Sequence, residues 1–221
     1  MKTSELFIKE LSYIKNDTLR KIVIDTLDAS PKCIQVIPAS SSKKYHPEYA
    51  VIVGKENNDG SVEIGGLMRH VKAAVGIAHC QIETDIFQCL GIDNAIDTSE
   101  ELDMYADAAY AALILHDCCK PDDTPKHGTR FDHPLVAAKL FKEVATKYIT
   151  KENMEYMKTI IPMIYKAIAS HMGQFTTATY AKGVTLPRPE TAFEWFVHQC
   201  DYLASRKFLL FDFDVYNEVK R

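Results

Sequence analysis

Apolar residues recur at intervals of three and four along most of this chain. Residues 4–15 place Leu6, Phe7, Leu11 and Ile14 at helical spacing, and residues 17–28 do the same with Leu19, Ile22, Val23 and Leu27, with Asp17 as a candidate cap. Both read as packing helices. The pattern resumes at about 66–90, 99–119, 133–149, 152–171 and 189–207. Pro121, followed by Asp122, Asp123 and Pro125, stops the second of these, and Pro134 suits the first turn of the third. Pro162 predicts either a kink or a break in the fourth. Between Tyr49 and Ile64 the pattern changes to Tyr-Ala-Val-Ile-Val-Gly, a polar turn ending in Gly60, and Ser-Val-Glu-Ile, which predicts a small β-hairpin. Phe211, Phe213 and Val215 alternate with Asp212 and Asp214, a period-two pattern for a third strand. The fold class is therefore mainly α, with a small hairpin or short sheet ahead of residue 66.

Length and composition narrow this further. A chain of 221 residues with 47% hydrophobic and 25% charged residues is expected to form one domain around a real core. We divide it into N-terminal packing helices (1–35), a polar loop with the hairpin (36–65) and a helical core (66–207). The 26 Lys and Arg against 30 Asp and Glu give a net charge of −4, which argues against coating of duplex nucleic acid. Charges interrupt the first ten residues and no apolar run approaches the ~18 residues of a membrane span, so a cytoplasmic protein without membrane partners is expected. The six cysteines include no Cys-x-x-Cys pair, and reduced thiols are expected. The adjacent Cys118 and Cys119 read as buried or as redox-sensing. Trp195 and Phe196 lie among apolar residues and read as core.

The chemistry-bearing residues are His70, the His116-Asp117 pair, His133, His171 and Asp201, spread over separate predicted helices. Any one histidine alone reads as an ordinary hydrogen-bonded residue. Together, imidazole and carboxylate suit divalent ions such as Mn²⁺, Fe²⁺, Co²⁺ or Zn²⁺, with Mg²⁺ a further candidate, and helices in a bundle can converge such side chains. The His116-Asp117 pair ends a strongly apolar helix, where a buried carboxylate needs a partner. Lys120 follows one turn later and reads either as a phosphate contact or as a helix-end lysine. A second surface, Pro38 to Pro47, carries three serines with Lys43, Lys44, Tyr45 and His46, which a phosphate and a base could use if it is not simply an exposed polar loop. Arg130 and His127 are weaker candidates for substrate contact.

In order and context, these residues resemble the HD-domain superfamily of metal-dependent phosphohydrolases, closest to the HD domain of bacterial 3′→5′ exoribonucleases and related phosphohydrolases. The matching segments are Gly65-Gly66-Leu67-Met68-Arg69-His70, Leu115-His116-Asp117-Cys118-Cys119-Lys120, Ser170-His171-Met172-Gly173 and His198-Gln199-Cys200-Asp201, within about residues 36–207. The family often has Gly where this chain has Cys119, and the segment Tyr49–Ile64 looks like an insertion. The resemblance implies a first metal on His70, His116, Asp117 and Asp201, and a second on His133 and His171 with Asp117 bridging. It also implies phosphoester hydrolysis through a metal-activated hydroxide; read from the residues themselves, Asp117 and Lys120 are the catalytic candidates and Lys43, Lys44, Tyr45, His46 and Arg130 the substrate-contact candidates. The expected substrate is a nucleotide phosphate ester or a short oligonucleotide, since no separate nucleic-acid module fits ahead of His70. Selectivity is expected from the loops Ser40–His46, His127–Arg130 and Gln174–Arg188, with Lys182, Arg188, Phe175 and Tyr180 in that inventory. Two other classes compete: a mixed-valent di-iron oxygenase on the same ligands, and a binding protein with a degenerate site.

Overall fold

The structure is a computed structural model that describes residues 1–84, 99–121, 129–181, 183–209 and 211–220. His127, Lys182, Cys89 and the expected end of the helix at residue 90 lie outside them. Among the described residues there are seven α-helices: α1 (Ile8–Ser12), α2 (Asp17–Ala29), α3 (Gly66–Ile82), α4 (Ser99–Leu115), α5 (His133–Ala145), α6 (Met154–Ser170) and α7 (Ala192–Ala204). A two-stranded antiparallel sheet, β1 (Lys55–Glu56) and β2 (Val62–Glu63), completes a mainly helical fold with a small hairpin. No helix among the described residues is long and apolar enough to cross a membrane.

Helix α4 is the axis of the bundle. It touches α2, α3, α6 and α7, and every residue from Ala106 to Leu115 is buried. A helix with neighbours on all sides has no polar face to show, and Ala108, Ala109, Ala111 and Ala112 let those neighbours approach closely. Around it α3 packs on α7, α5 on α6 and α2 on α5. The core is continuous from Phe7 to Ala204.

Several boundaries differ from the sequence pattern for local reasons. Residues 3–7 form a 3₁₀ turn ahead of the short α1. The cap of α2 is Asn16, whose side chain accepts from the Leu19 amide at 2.9 Å, rather than Asp17. Helix α3 stops at Ile82, where the Thr84 hydroxyl bonds the carbonyls of Cys80 and Gln81. Helix α4 stops at Leu115, whose carbonyl accepts from Cys118 in a tight turn. Helix α6 runs unbroken through Pro162, which is exposed, so the carbonyl that loses its donor there faces water.

The first half of the expected hairpin is not a strand. Residues Glu48–Val51 form a 3₁₀ turn, and the backbone here bonds to distant segments instead: Gly54 N–H to the Val36 carbonyl, Ala39 N–H to the Ala50 carbonyl, and Gly66 N–H to the Ile52 carbonyl. This crossing explains Gly65-Gly66. A Cβ on Gly65 would lie 2.4 Å from the Ile37 carbonyl oxygen, and one on Gly66 would lie 2.3 Å from that of Ala50. Two glycines thus let the chain cross immediately before the helix that carries His70. The third strand is also corrected: Phe213 pairs with Val219 in an isolated bridge, closing a turn around Asp214 whose carboxylate takes the Tyr216 and Glu218 amides. Trp195 is 40% exposed rather than core, while Phe196 is buried.

Candidate metal centre

Three helices and two turns deliver the six ligand-type residues to one place. His70 lies in α3, His116 and Asp117 in the turn after α4, His133 at the start of α5, His171 at the end of α6 and Asp201 in α7. All but Asp201 are buried, and its side chain is 16% exposed.

Asp117 is the hub. Its Oδ2 lies 3.5 Å from His116 Nε2 and 3.8 Å from His70 Nε2, and its Oδ1 lies 3.0 Å from His133 Nε2 and 3.7 Å from His171 Nε2. Asp201 Oδ1 joins the first set, 2.9 Å from His70 Nε2 and 3.5 Å from His116 Nε2. Within each set the imidazoles point Nε2 at one another, 3.4 Å apart for His70 and His116 and 3.3 Å for His133 and His171. Two nitrogens that share one ion at ~2.0–2.1 Å, with an angle between perpendicular and tetrahedral, stand about 3.0–3.4 Å apart.

The backbone holds the rings in that aim. Nδ1 of His116, His133 and His171 donates to the carbonyls of Leu113, Arg130 and Ile168 at 2.7–2.8 Å. Each such bond places a ring proton on Nδ1 and aims Nε2 inward, as ligating histidines require. Asp117 Oδ1 is buried without a hydrogen-bond partner, as is His70 Nδ1. An orphaned carboxylate oxygen among imidazole lone pairs fits a cation, and these buried groups could hold a metal ion.

The charges respond to the crowding. Burial opposes ionisation of Asp117, but the Lys120 ammonium and then His116 hold its carboxyl well below the usual carboxylate range. Asp201 is likewise held low, against burial, by His116 and His70. Burial also opposes protonation of His116, yet Asp117 and Asp201 outweigh it and push the imidazole up to about 10. His171 goes the other way, down to about 3, through burial and then the charge of His116. Proton and ammonium therefore occupy the role of counter-charge that a metal would take.

Lys120 donates to Asp117 Oδ2 at 2.7 Å. The other predicted contacts divide. Lys43, Lys44 and Tyr45 are exposed, with the Lys44 ammonium over the Tyr45 ring. His46 lines a cavity at the mouth of the centre; burial, then the charges of His70, Arg206 and Lys120, push it down to about 4. Arg130 is held by Asp132 through two hydrogen bonds of 2.7 and 2.9 Å, and its carbonyl orients His133, which makes it a support of the centre.

The same mouth contains side chains to which the sequence reading assigned no role: His198, Tyr202, Ser205 and Arg206. They continue the face of α7 that carries Asp201, and that spacing of three and four was the signal available. His198 donates from Nδ1 to the His171 carbonyl at 2.7 Å, linking α7 to the end of α6. Gly173, with φ of +60°, makes room for it, since a Cβ there would lie 2.3 Å from His198 Cε1. Glu194 supports the same joint, accepting from the Ser170 hydroxyl and the Glu190 amide.

Comparison of the chain with protein-family models, with curated proteins and with solved structures finds no match.

Proposed function

We propose that the chain is a metal-dependent phosphohydrolase of the HD type, acting on a phosphate ester of a nucleotide or short oligonucleotide. The reading rests above all on Asp117, whose two oxygens face two separate imidazole pairs. That arrangement suits two divalent ions, one held by His70, His116, Asp117 and Asp201 and the other by His133, His171 and Asp117. Bound there, such ions would supply Lewis acidity toward a phosphoryl group and a water acidic enough to act near neutral pH. Nitrogen and oxygen donors without thiolate favour Mn²⁺, Fe²⁺, Co²⁺ or Zn²⁺.

The protein's own part is to bind, aim and shield. The backbone carbonyls of Leu113, Arg130 and Ile168 fix three imidazoles before anything binds, so little reorganisation is needed at the centre. The buried walls exclude bulk water and strengthen every charge inside. Lys120, beside Asp117 and at the cavity wall, adds positive charge where phosphoryl oxygens would lie.

Metal analysis of protein purified without added metal, followed by hydrolysis assays with nucleotides and 3′-labelled oligonucleotides in Mn²⁺ or Co²⁺, tests this reading. Metal-dependent release of phosphate or nucleotide, abolished in Asp117→Ala, is the expected result. No hydrolysis of any phosphate ester by metal-loaded protein, together with iron-dependent oxygen consumption on an organic substrate, would replace it with the oxygenase reading.

A further inference from the structure

The cavity at the mouth of the centre is small, and its wall carries two cations, Lys120 and Arg206, beside the Asp201 carboxylate. It lies between His70 and Asp201 on the inside and Lys120, His46, Tyr202 and Arg206 around the opening, and its volume is about 130 Å³. Pockets that enclose a whole drug-sized ligand run to about 300–1,000 Å³. A phosphoryl group with its ester oxygen fits this space.

Arg206 is prepared for an anion. Its Nε and Nη2 donate to the Ser205 hydroxyl at 3.0 and 2.8 Å, and Nε also reaches the Tyr202 carbonyl at 3.3 Å. The central carbon of the guanidinium stands over the Tyr202 ring, 4.2 Å from its centre. These contacts fix the plane of the group and leave three of its five N–H bonds for a ligand. Among the described residues no carboxylate pairs with it. His46 lines the same cavity. Phe175, 47% exposed, lies nearly parallel to Tyr202 at 6.4 Å between ring centres, so the outer rim is aromatic.

We propose that this cavity seats a terminal phosphoryl group clamped by Arg206, so that the substrates are phosphate monoesters entering end-on and not internal phosphodiesters. The inference rests on the hydrolase reading and selects a substrate class within it. A diester phosphorus carries two bulky groups and one negative charge. A monoester carries one group, which can lie against Phe175 and Tyr202, and presents a near-dianion to Arg206 and Lys120. In the reaction a water oxygen bonds to phosphorus, the ester P–O bond breaks with its electron pair on the departing alcohol oxygen, and a water proton ends on that alcohol. Inorganic phosphate is the second product.

Calorimetric titration of Mn²⁺-loaded protein with methyl phosphate and with dimethyl phosphate tests the seat without requiring turnover. Methyl phosphate should bind at least about tenfold more tightly than the diester. Arg206→Ala should weaken it by about tenfold or more, the scale of a lost charge-assisted hydrogen bond, with metal content unchanged, and Arg206→Lys should recover part of the loss. Equal binding of the two esters, or wild-type affinity in Arg206→Ala, overturns the seat. The latter result with a lowered melting temperature would make Arg206 a helix-end cation only. Nitrophenyl phosphate and its bis-nitrophenyl diester, assayed in parallel, separate the two levels. Hydrolysis of the diester with the seat overturned keeps the hydrolase reading, whereas Arg206-dependent binding of methyl phosphate without hydrolysis of these or of any nucleotide or oligonucleotide ester keeps the seat and removes the hydrolase.

Discussion

Lys120 and Asp117 form a 2.7 Å ion pair on the same carboxylate oxygen that faces His70 and His116. The ammonium therefore competes for the position a cation would neutralise. In Lys120→Met the metal-free protein should lose about 1–3 kcal/mol, the value of a hydrogen bond to a charged group. The metal-loaded protein should lose much less, because the ion takes over as counter-charge. Thermal melts with and without Mn²⁺ measure both, at roughly 2–4 °C per kcal/mol for a chain of this size. An equal loss in both states would reduce Lys120 to a helix-end lysine.

The division of Asp117 between two imidazole pairs makes metal stoichiometry diagnostic. Wild-type protein should hold about two ions per chain, and chelation should lower its melting temperature because converging ligands lose their shared partner. Asp117→Ala should empty both positions, while His133→Ala or His171→Ala should empty mainly one. Elemental analysis after reconstitution and desalting reads the count, and a near-zero value for the wild type would remove the metal centre altogether.

Gly173 is placed to be intolerant of a side chain. Its φ of +60° already costs an alanine about 1–2 kcal/mol, and the new Cβ would overlap the His198 ring. Gly173→Ala should therefore destabilise the fold by at least about 2 kcal/mol. Because His198 bonds the carbonyl of His171, metal retention should fall as well. A denaturant midpoint equal to wild type would show that His198 has another place to go.

A pH dependence comes from outside the centre. Lys72 is buried and its ammonium is shared by Glu10 at 3.0 Å and Glu218 at 2.6 Å. Burial raises Glu10 to about 7, with Lys72 opposing and the Glu218 charge assisting. The folded protein thus keeps a proton on Glu10 that the unfolded chain has lost above its ordinary 4.5. The contribution of Glu10 to stability is fully present below about 4.5 and declines as pH rises to about 7. Relative to wild type, Glu10→Gln should gain on the order of 3 kcal/mol across that window. Parallel denaturation curves in pH would show no such divergence if Glu10 ionises normally.

The helices and the six inner residues were legible in the sequence because each depends on local pattern: apolar spacing in α3 to α7, and ligand-type residues at helix ends. What escaped depended on distant contacts. Residues 49–54 look like a strand, but their backbone partners are at 36–39 and 64–66, and no local propensity reports that crossing. Arg206 looks like any cation after a helix, and only the meeting of α7 with Lys120 and His46 makes it part of a cavity. Lys43 and Lys44 looked like phosphate contacts by composition, yet their loop turns them to solvent. Arg130 was read only as a substrate contact, and its hold on Asp132 and its carbonyl's aim at His133 depend on the folded turn.

The shared ammonium of Lys72 also sets an order of assembly. Helix α3 carries His70, but the buried charge two residues later has partners at positions 10 and 218, and the Asn217 side chain accepts from Arg69 on the same helix. A growing chain that has passed residue 171 holds five of the six inner residues, yet α3 still lacks Asp201 and the strap that neutralises Lys72. Those contacts close loops of well over a hundred residues, which makes them slow to form. During synthesis, the set built on His70 and Asp201 would therefore close only once residue 218 is made, whereas a chain past residue 171 already carries the Asp117, His133 and His171 of the other set.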